Sequence, residues 1–130
     1  MGDRANLVVE TQPKKYVYLY THWGGEDIPK TLQNGLRLHQ RWDDPSYLAR
    51  ILFREMGAGG DGECGFGIDT EMGANNRPIL LVRPEDGRKA GKVELYSDDD
   101  GDSGVCGAPS KKWTFKQFCD IQRISWRKLL

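Results

Sequence analysis

Residues 16–27 of the chain read YVYLYTHWGGED, a run in which aromatic and aliphatic residues alternate before two glycines. Side chains of an extended strand point alternately to its two faces, so Tyr16, Tyr18, Tyr20 and His22 share one face. Paired glycines followed by acidic residues are typical of a turn that leads into a helix. The stretch therefore predicts a strand with a row of phenol rings, ending beside a helix N-terminus.

The other elements follow from hydrophobic spacing and turn residues. A β-rich run at 7–10 and a five-residue polar connection predict an antiparallel hairpin with the tyrosine strand. Asp44 and Pro45 are typical of the start of a helix, whereas Thr114 and Gln117 predict a capping box. Hydrophobic patterns predict further strands at residues 66–72, 79–82 and 92–96, and helices at 28–39, 45–55 and 115–127. Because Gly35 weakens the first of these helices, an earlier end at Asn34 and Gly35 is the alternative boundary.

The resulting order is ββααβββα, which is typical of the α+β class because the strands are grouped and do not alternate regularly with helices. We expect a single domain over residues 1–130, with an antiparallel sheet of about five strands and two to three helices packed mainly on one face. The other face of this sheet is then open. A long acidic and glycine-rich loop is predicted at 97–112.

Composition narrows the classes of function. The 130 residues include 19 Lys and Arg and 19 Asp and Glu, so a net charge of zero offers no general attraction for nucleic acid or membranes. Cys64, Cys106 and Cys119 form an odd set without a Cys-x-x-Cys pair, which favours reduced thiols. No long apolar segment is present. We expect a cytoplasmic protein without a membrane partner, and direct nucleic-acid binding is not expected.

No metal or cofactor is expected. An EF-type count that starts at Asp98 places Ser103 where glycine is needed and Pro109 where a bidentate glutamate is needed. The histidines and cysteines lack the close ligand spacing of zinc sites.

A small Cys/His enzyme is one alternative, with Cys64 or Cys106 as nucleophile and His22 as base. Neighbouring glycines expose a thiol but do not lower its pKa, and no residue that would orient the base is indicated. We therefore predict a binding protein and not an enzyme, with no catalytic residues assigned.

The glycine turn supports a second alternative. Gly24, Gly25 and Asp27 stand at a helix start, where backbone N–H groups and the helix dipole attract phosphate or carboxylate groups. Glu26 and Asp27 would repel such an anion, and capping by Asp27 is the simpler interpretation. A nucleotide signal bound at this turn remains the ligand-binding alternative.

Aromatic and basic residues suggest a protein-binding surface. Trp23 and Trp42 lie near the predicted ends of elements, where they either pack or contact a partner. Arg50 and Arg54 are four residues apart on the second predicted helix, and Arg37 and Arg41 on the first. Each pair is expected to face one way and to contact an acidic partner.

Four strings of the sequence are distinctive when taken together: YLYTHWGG at 18–25, RWDD at 41–44, YLARILF at 47–53 and GFGI at 65–68. With them the chain resembles a family of small uncharacterised proteins from bacteriophages and prophages. The likeness covers residues 4–83, with a weaker echo at 113–118, and the segment 97–110 departs from it. The resemblance implies a phage origin but no activity and no site residues.

A phage origin favours a protein that binds and blocks a host component. The leading hypothesis is a cytoplasmic phage accessory protein that inhibits a host defence component, a protein or ribonucleoprotein complex, by stoichiometric contact, as anti-CRISPR proteins do. Interface hot spots are rich in tyrosine, tryptophan and arginine. The predicted contact residues are Tyr16, Tyr18, Tyr20, His22, Trp23, Arg41, Trp42, Arg50 and Arg54.

Overall fold

The fold is built around a β-hairpin at the start of the chain. A computed structural model describes residues 2–58, 65–96, 105 and 107–130. Strands β1 (Ala5–Gln12) and β2 (Lys15–Thr21) pair antiparallel, as predicted. Their connection is shorter than expected, because both strands extend towards a turn at Pro13 and Lys14, where Lys14 adopts a φ of 61°.

The sheet has six described strands and is mixed, so the prediction of an antiparallel sheet of about five strands was wrong in these respects. Strands β3 (Phe66–Asp69), β4 (Ile79–Arg83), β5 (Lys92–Tyr96) and β6 (Lys111–Thr114) complete the order β3-β2-β1-β4-β5-β6. Only β1 and β4 are parallel among these pairs. The chain between them includes β2, two α-helices and β3, and it is long enough for the crossover that a parallel pair requires.

Strand β6 was not predicted, because only Trp113 of its four residues is a large apolar residue. Lysines are common on edge strands, where they discourage pairing with other chains. The predicted loop at 97–112 is therefore too long at its C-terminal end, and its residues 97–104 and 106 lie outside the described part of the chain.

Helix α1 (Ile28–Leu36) ends between the two predicted boundaries, one residue after Gly35 and before His39, which has a φ of 53°. Helix α2 (Pro45–Gly57) begins as predicted, since the Asp44 side chain accepts a hydrogen bond from the Tyr47 N–H. At 13 residues it is the longest helix of the described residues, none of which forms a helix long and apolar enough to cross a membrane.

The single C-terminal helix expected at 115–127 is two short helices, α3 (Phe115–Cys119) and α4 (Trp126–Leu129). The predicted capping box of Thr114 and Gln117 is present at the start of α3. Arg123 has a φ of 49°, which interrupts the helical backbone, and the Ser125 side chain caps α4. Hydrophobic spacing did not reveal this break because both short helices bury residues in the same core.

The four α-helices of the described residues pack on one face of the sheet, here called the helix-covered face. Their buried residues join those of the sheet in one core, which includes Leu7, Leu19, Leu80, Val93, Leu36, Leu48, Leu52 and Phe118. Burial of each such side chain contributes about 1.5–3 kcal/mol. The opposite face carries a smaller cluster made by Val8, Ile79, Leu81 and Tyr96.

Candidate functional site

The row of rings predicted on β2 lies on the face opposite the helices, called here the tyrosine face and defined by Tyr16, Tyr18, Tyr20 and His22. The neighbouring residues Val17 and Leu19 belong to the helix-covered core, which fixes the alternation. All four ring-bearing residues are half-buried. The tyrosine face is therefore partly accessible along the whole length of β2.

The face is less open than the sequence suggested. Tyr16 and Tyr18 pack against the smaller apolar cluster, and so do Met72 and Val105 from segments that follow β3 and β5. The rings of Tyr16 and Tyr18 meet edge to face at 6.4 Å. Burial, and to a lesser extent the neighbouring Tyr16, raise the pKa of the Tyr18 phenol above its ordinary value.

At the end of β2, three rings form a chain that leads to the protein surface. Tyr20 Oη lies 3.1 Å from His22 Nδ1, and the His22 ring meets Trp23 edge to face at 4.6 Å. Trp23 is 49% exposed although it also packs closely on Gly65, where an added Cβ would lie 2.7 Å from the indole ring. Trp23 thus presents a large apolar surface held in place by its neighbours.

A cleft of about 200 Å³ opens beside the tyrosine rings. Its lining includes Tyr18 and Tyr20 from β2, residues 67–69 from β3, and residues 71, 73 and 74 from the segment after β3. The amide of Asn6 holds the segment after β3, because it donates to the carbonyls of Gly73 and Ala74 and accepts from the Gly73 N–H. Asn6 is completely buried, so this segment is anchored from within the protein.

The other end of the same face carries a polar cluster that the sequence patterns did not reveal. Arg83 donates to Glu94 at 2.7 Å and to Glu10, while the Tyr96 hydroxyl donates to Glu94 at 2.9 Å. Burial opposes the charge of Arg83, but the hydrogen bonds to its partners outweigh this and raise its pKa. Strand alternation offered a signal, since Glu10, Arg83 and Glu94 all occupy positions that face away from the helices.

Backbone N–H groups of the glycine turn are already bonded to Asp3 of the same chain. The Asp3 carboxylate accepts a hydrogen bond from the Glu26 N–H at 2.9 Å, and the Asp3 carbonyl accepts one from the Gly25 N–H. Arg77 donates to both carboxylate oxygens at 2.8 and 2.9 Å and lowers the pKa of Asp3. Asp27 is the N-cap residue of α1, as predicted, but its side chain makes no capping hydrogen bond.

A second cavity, of about 320 Å³, lies beside this turn. Gly24 and Asp27 contribute to its lining, whereas Gly25 does not. Its charged lining residues are Asp27, Glu55 and Lys30, so the local charge is negative and does not favour a phosphate. Arg50 and Arg54 do not line it. The nucleotide alternative therefore gains no support from this geometry and stays a prediction.

The remaining predicted contact residues lie on the helix-covered side. Trp42 packs against Phe115 at 5.3 Å and donates a hydrogen bond to the Leu36 carbonyl, so it is mainly structural. Arg50 and Arg54 are exposed on α2. The nine residues therefore do not form one surface, because the sheet separates the tyrosine face from these side chains.

The predicted pair of Arg37 and Arg41 does not lie on one helix, since α1 ends at Leu36. Arg37 donates to the Cys119 carbonyl, and Arg41 has a φ of 58° and stacks 4.3 Å above the Tyr47 ring. Both arginine side chains therefore contact other residues of the protein, which their spacing of four residues did not indicate.

Cysteine chemistry can be placed only at Cys119, because Cys64 and Cys106 lie outside the described residues. Cys119 is buried, and burial raises the pKa of its thiol. Residues 2–58, 65–96, 105 and 107–130 contain no group of three His, Cys, Asp or Glu side chains arranged to bind a metal.

Comparison with known proteins gave no relatives: no family model, no curated protein and no solved structure matches the chain.

Proposed function

We propose that this protein is a phage accessory protein that inhibits a host defence component by direct, stoichiometric contact through its tyrosine face and Trp23. The phage context rests on the resemblance of residues 4–83 to phage and prophage proteins. The observation that supports the contact surface is the exposed Trp23 next to a row of half-buried rings. Tyrosine and tryptophan supply large contact areas at a low cost in conformational entropy.

The geometry suits a protein partner. Tyr20, His22 and Trp23 contact one another, so they are ordered before any partner arrives. Binding then costs less conformational entropy than it would with free side chains. A preorganised patch of this kind fits a blocking protein, whose effect depends on affinity and not on turnover.

The experiment compares two double variants in bacteria that carry a defence system active against a test phage. Trp23→Ala with Tyr18→Ala removes the proposed contact, whereas Tyr47→Ala with Arg54→Ala removes an aromatic and a basic residue from the helix-covered side. Tyr47 is 46% exposed and Trp23 is 49% exposed, so the aromatic residues are well matched.

We expect the wild-type protein and the Tyr47 and Arg54 variant to restore plating of the restricted phage, and the Trp23 and Tyr18 variant to lose this effect by at least tenfold. When the complex with the host component is purified and its stoichiometry is measured by light scattering, we expect the wild type and the Tyr47 and Arg54 variant to form it. We expect the Trp23 and Tyr18 variant not to form it. Protection that survives in the Trp23 and Tyr18 variant would exclude this surface. No protection by the wild type against any tested system would exclude the function.

A further inference from the structure

The cleft beside Tyr18 and Tyr20 has a chemical character of its own. Asp69 pairs with Tyr18 across β3 and β2, so the carboxylate and the phenol ring are neighbours on the same face. Glu71 also lines the cleft, and both acidic side chains belong to exposed residues. The described residues that line it include two acidic side chains and no basic one.

The acidic groups are not neutralised by salt bridges within the described residues, whose ion pairs involve other side chains. One oxygen of Asp69 accepts from the backbone N–H groups of Thr70 and Glu71. This turn orients the Asp69 carboxylate but brings no positive charge to it. The negative charge therefore stays at the mouth of the cleft.

Aromatic faces combined with carboxylates are the arrangement that proteins use to bind ammonium and guanidinium groups. The packing of the segment after β3 supports this function: a Cβ on Gly73 would lie 3.1 Å from Tyr20 Cδ1, so this segment and the ring are already in close contact. A volume of about 200 Å³ is smaller than typical small-molecule pockets of about 300–1,000 Å³ and suits a single side chain.

We propose that this cleft binds the cationic end of an arginine or lysine side chain presented by the partner protein. The inference rests on the proposed function for the existence of a protein partner and adds the chemistry that the partner must display. Tyr18 and Tyr20 line the cleft and offer apolar ring surface for the methylene stem of that side chain. The edge position of β3 leaves this approach open among the described strands.

The test uses a defined probe and needs no knowledge of the partner. N-acetyl-arginine methylamide is titrated into the full chain while backbone amide shifts are followed by NMR, with the citrulline analogue as the uncharged control. We expect saturable shifts centred on Gly67, Asp69, Gly73 and Ala74 with the arginine probe, and at least tenfold weaker binding of citrulline. Equal binding of both probes, or shifts scattered over unrelated acidic residues, would overturn the proposal.

Two variants and one control identify the side chains that bind the arginine probe. Asp69→Asn with Glu71→Gln keeps the oxygen that accepts the Thr70 N–H but removes both charges, and should weaken arginine binding at least tenfold. Glu26→Gln with Asp27→Asn removes the same charge from exposed residues elsewhere and should have no effect. Tyr20→Leu should weaken binding several-fold while the folded spectrum is kept. Unchanged binding in the Asp69 and Glu71 variant would refute the proposal.

The two proposals fail separately. If the arginine probe does not bind but the Trp23 and Tyr18 variant loses phage protection, the cleft chemistry is wrong and the function stands. If the probe binds but the wild-type protein protects against no defence system, the cleft is a cation site and the function is wrong.

Discussion

The two faces of the sheet differ in what fixes their side chains. On the helix-covered face, four helices bury residues such as Phe118, Leu52 and Leu80 completely. On the tyrosine face, a smaller apolar cluster is bordered by half-buried rings, a cleft and the cluster of Arg83 with Glu10 and Glu94. The first face stabilises the fold, whereas the second keeps ordered aromatic and charged groups near solvent, which is what a binding surface requires.

Truncation of one aromatic residue on each face should give the largest difference in unfolding free energy between the two faces. Phe118→Ala removes a ring that is fully buried and packs edge to face on Trp113 at 5.6 Å, so unfolding free energy should fall by about 3–5 kcal/mol. Tyr18→Ala should cost no more than half as much, because Tyr18 is half-buried. Urea denaturation of both variants measures the difference. Equal losses would show that the tyrosine face is as much a part of the core as the helix-covered face.

A substitution in the polar cluster of Arg83, Glu10 and Glu94 tests whether charged groups on the tyrosine face contribute to stability. Arg83→Met leaves Glu94, which is 7% exposed, without its cationic partner, so the unfolding free energy should fall by about 2–3 kcal/mol. Arg88→Met, at an exposed turn residue, should change it by less than about 0.5 kcal/mol. A similar effect of the two substitutions, measured by urea denaturation, would mean that the cluster is only a surface ion pair.

Glycine substitutions probe the packing of each face from the backbone. A Cβ on Gly91 would overlap the buried Phe115 ring, so Gly91→Ala should destabilise the protein by about 1–3 kcal/mol. A Cβ on Gly67, in β3, would have no heavy atom within 4 Å, so Gly67→Ala should be nearly neutral. Thermal and urea unfolding compare the pair. A destabilising Gly67→Ala would indicate that the cleft is more tightly closed than its volume implies.

The sequence predicted the elements that depend on neighbouring residues better than the contacts between residues far apart in the chain. The β1 and β2 hairpin, the start of α2 at Asp44 and the capping box at Thr114 were correct, since neighbouring residues determine them. The parallel pairing of β1 with β4 was missed because it depends on contacts more than 70 residues apart, as with Leu7 and Leu80. No local pattern carries that information.

The candidate site shows the same division. Alternation along β2 correctly placed the four rings on one face. It gave no indication that Trp42 packs on Phe115 or that Asp3 fills the glycine turn, since each contact joins distant parts of the chain. The predicted roles of these residues in binding stay predictions until the variants are measured.

The smallest expected effect concerns the start of the chain, where Asp3 joins the glycine turn to Arg77 just before β4. Asp3→Asn should lower the unfolding free energy at neutral pH by about 1 kcal/mol, because it weakens charge-assisted hydrogen bonds that remain partly exposed. Since the pKa of Asp3 is lowered from 3.8, its stabilisation is present above pH about 4 and is lost as the pH falls further. The difference between wild type and variant, followed by urea denaturation from pH 7 to pH 2, should therefore shrink in acid.

As a control, Asp27→Asn at the same turn should leave the unfolding free energy and its pH dependence unchanged, since the Asp27 side chain makes no capping hydrogen bond. A difference that stayed constant across this range would mean that the charge of Asp3 does not hold the turn, and that the backbone contact of its carbonyl with Gly25 is sufficient.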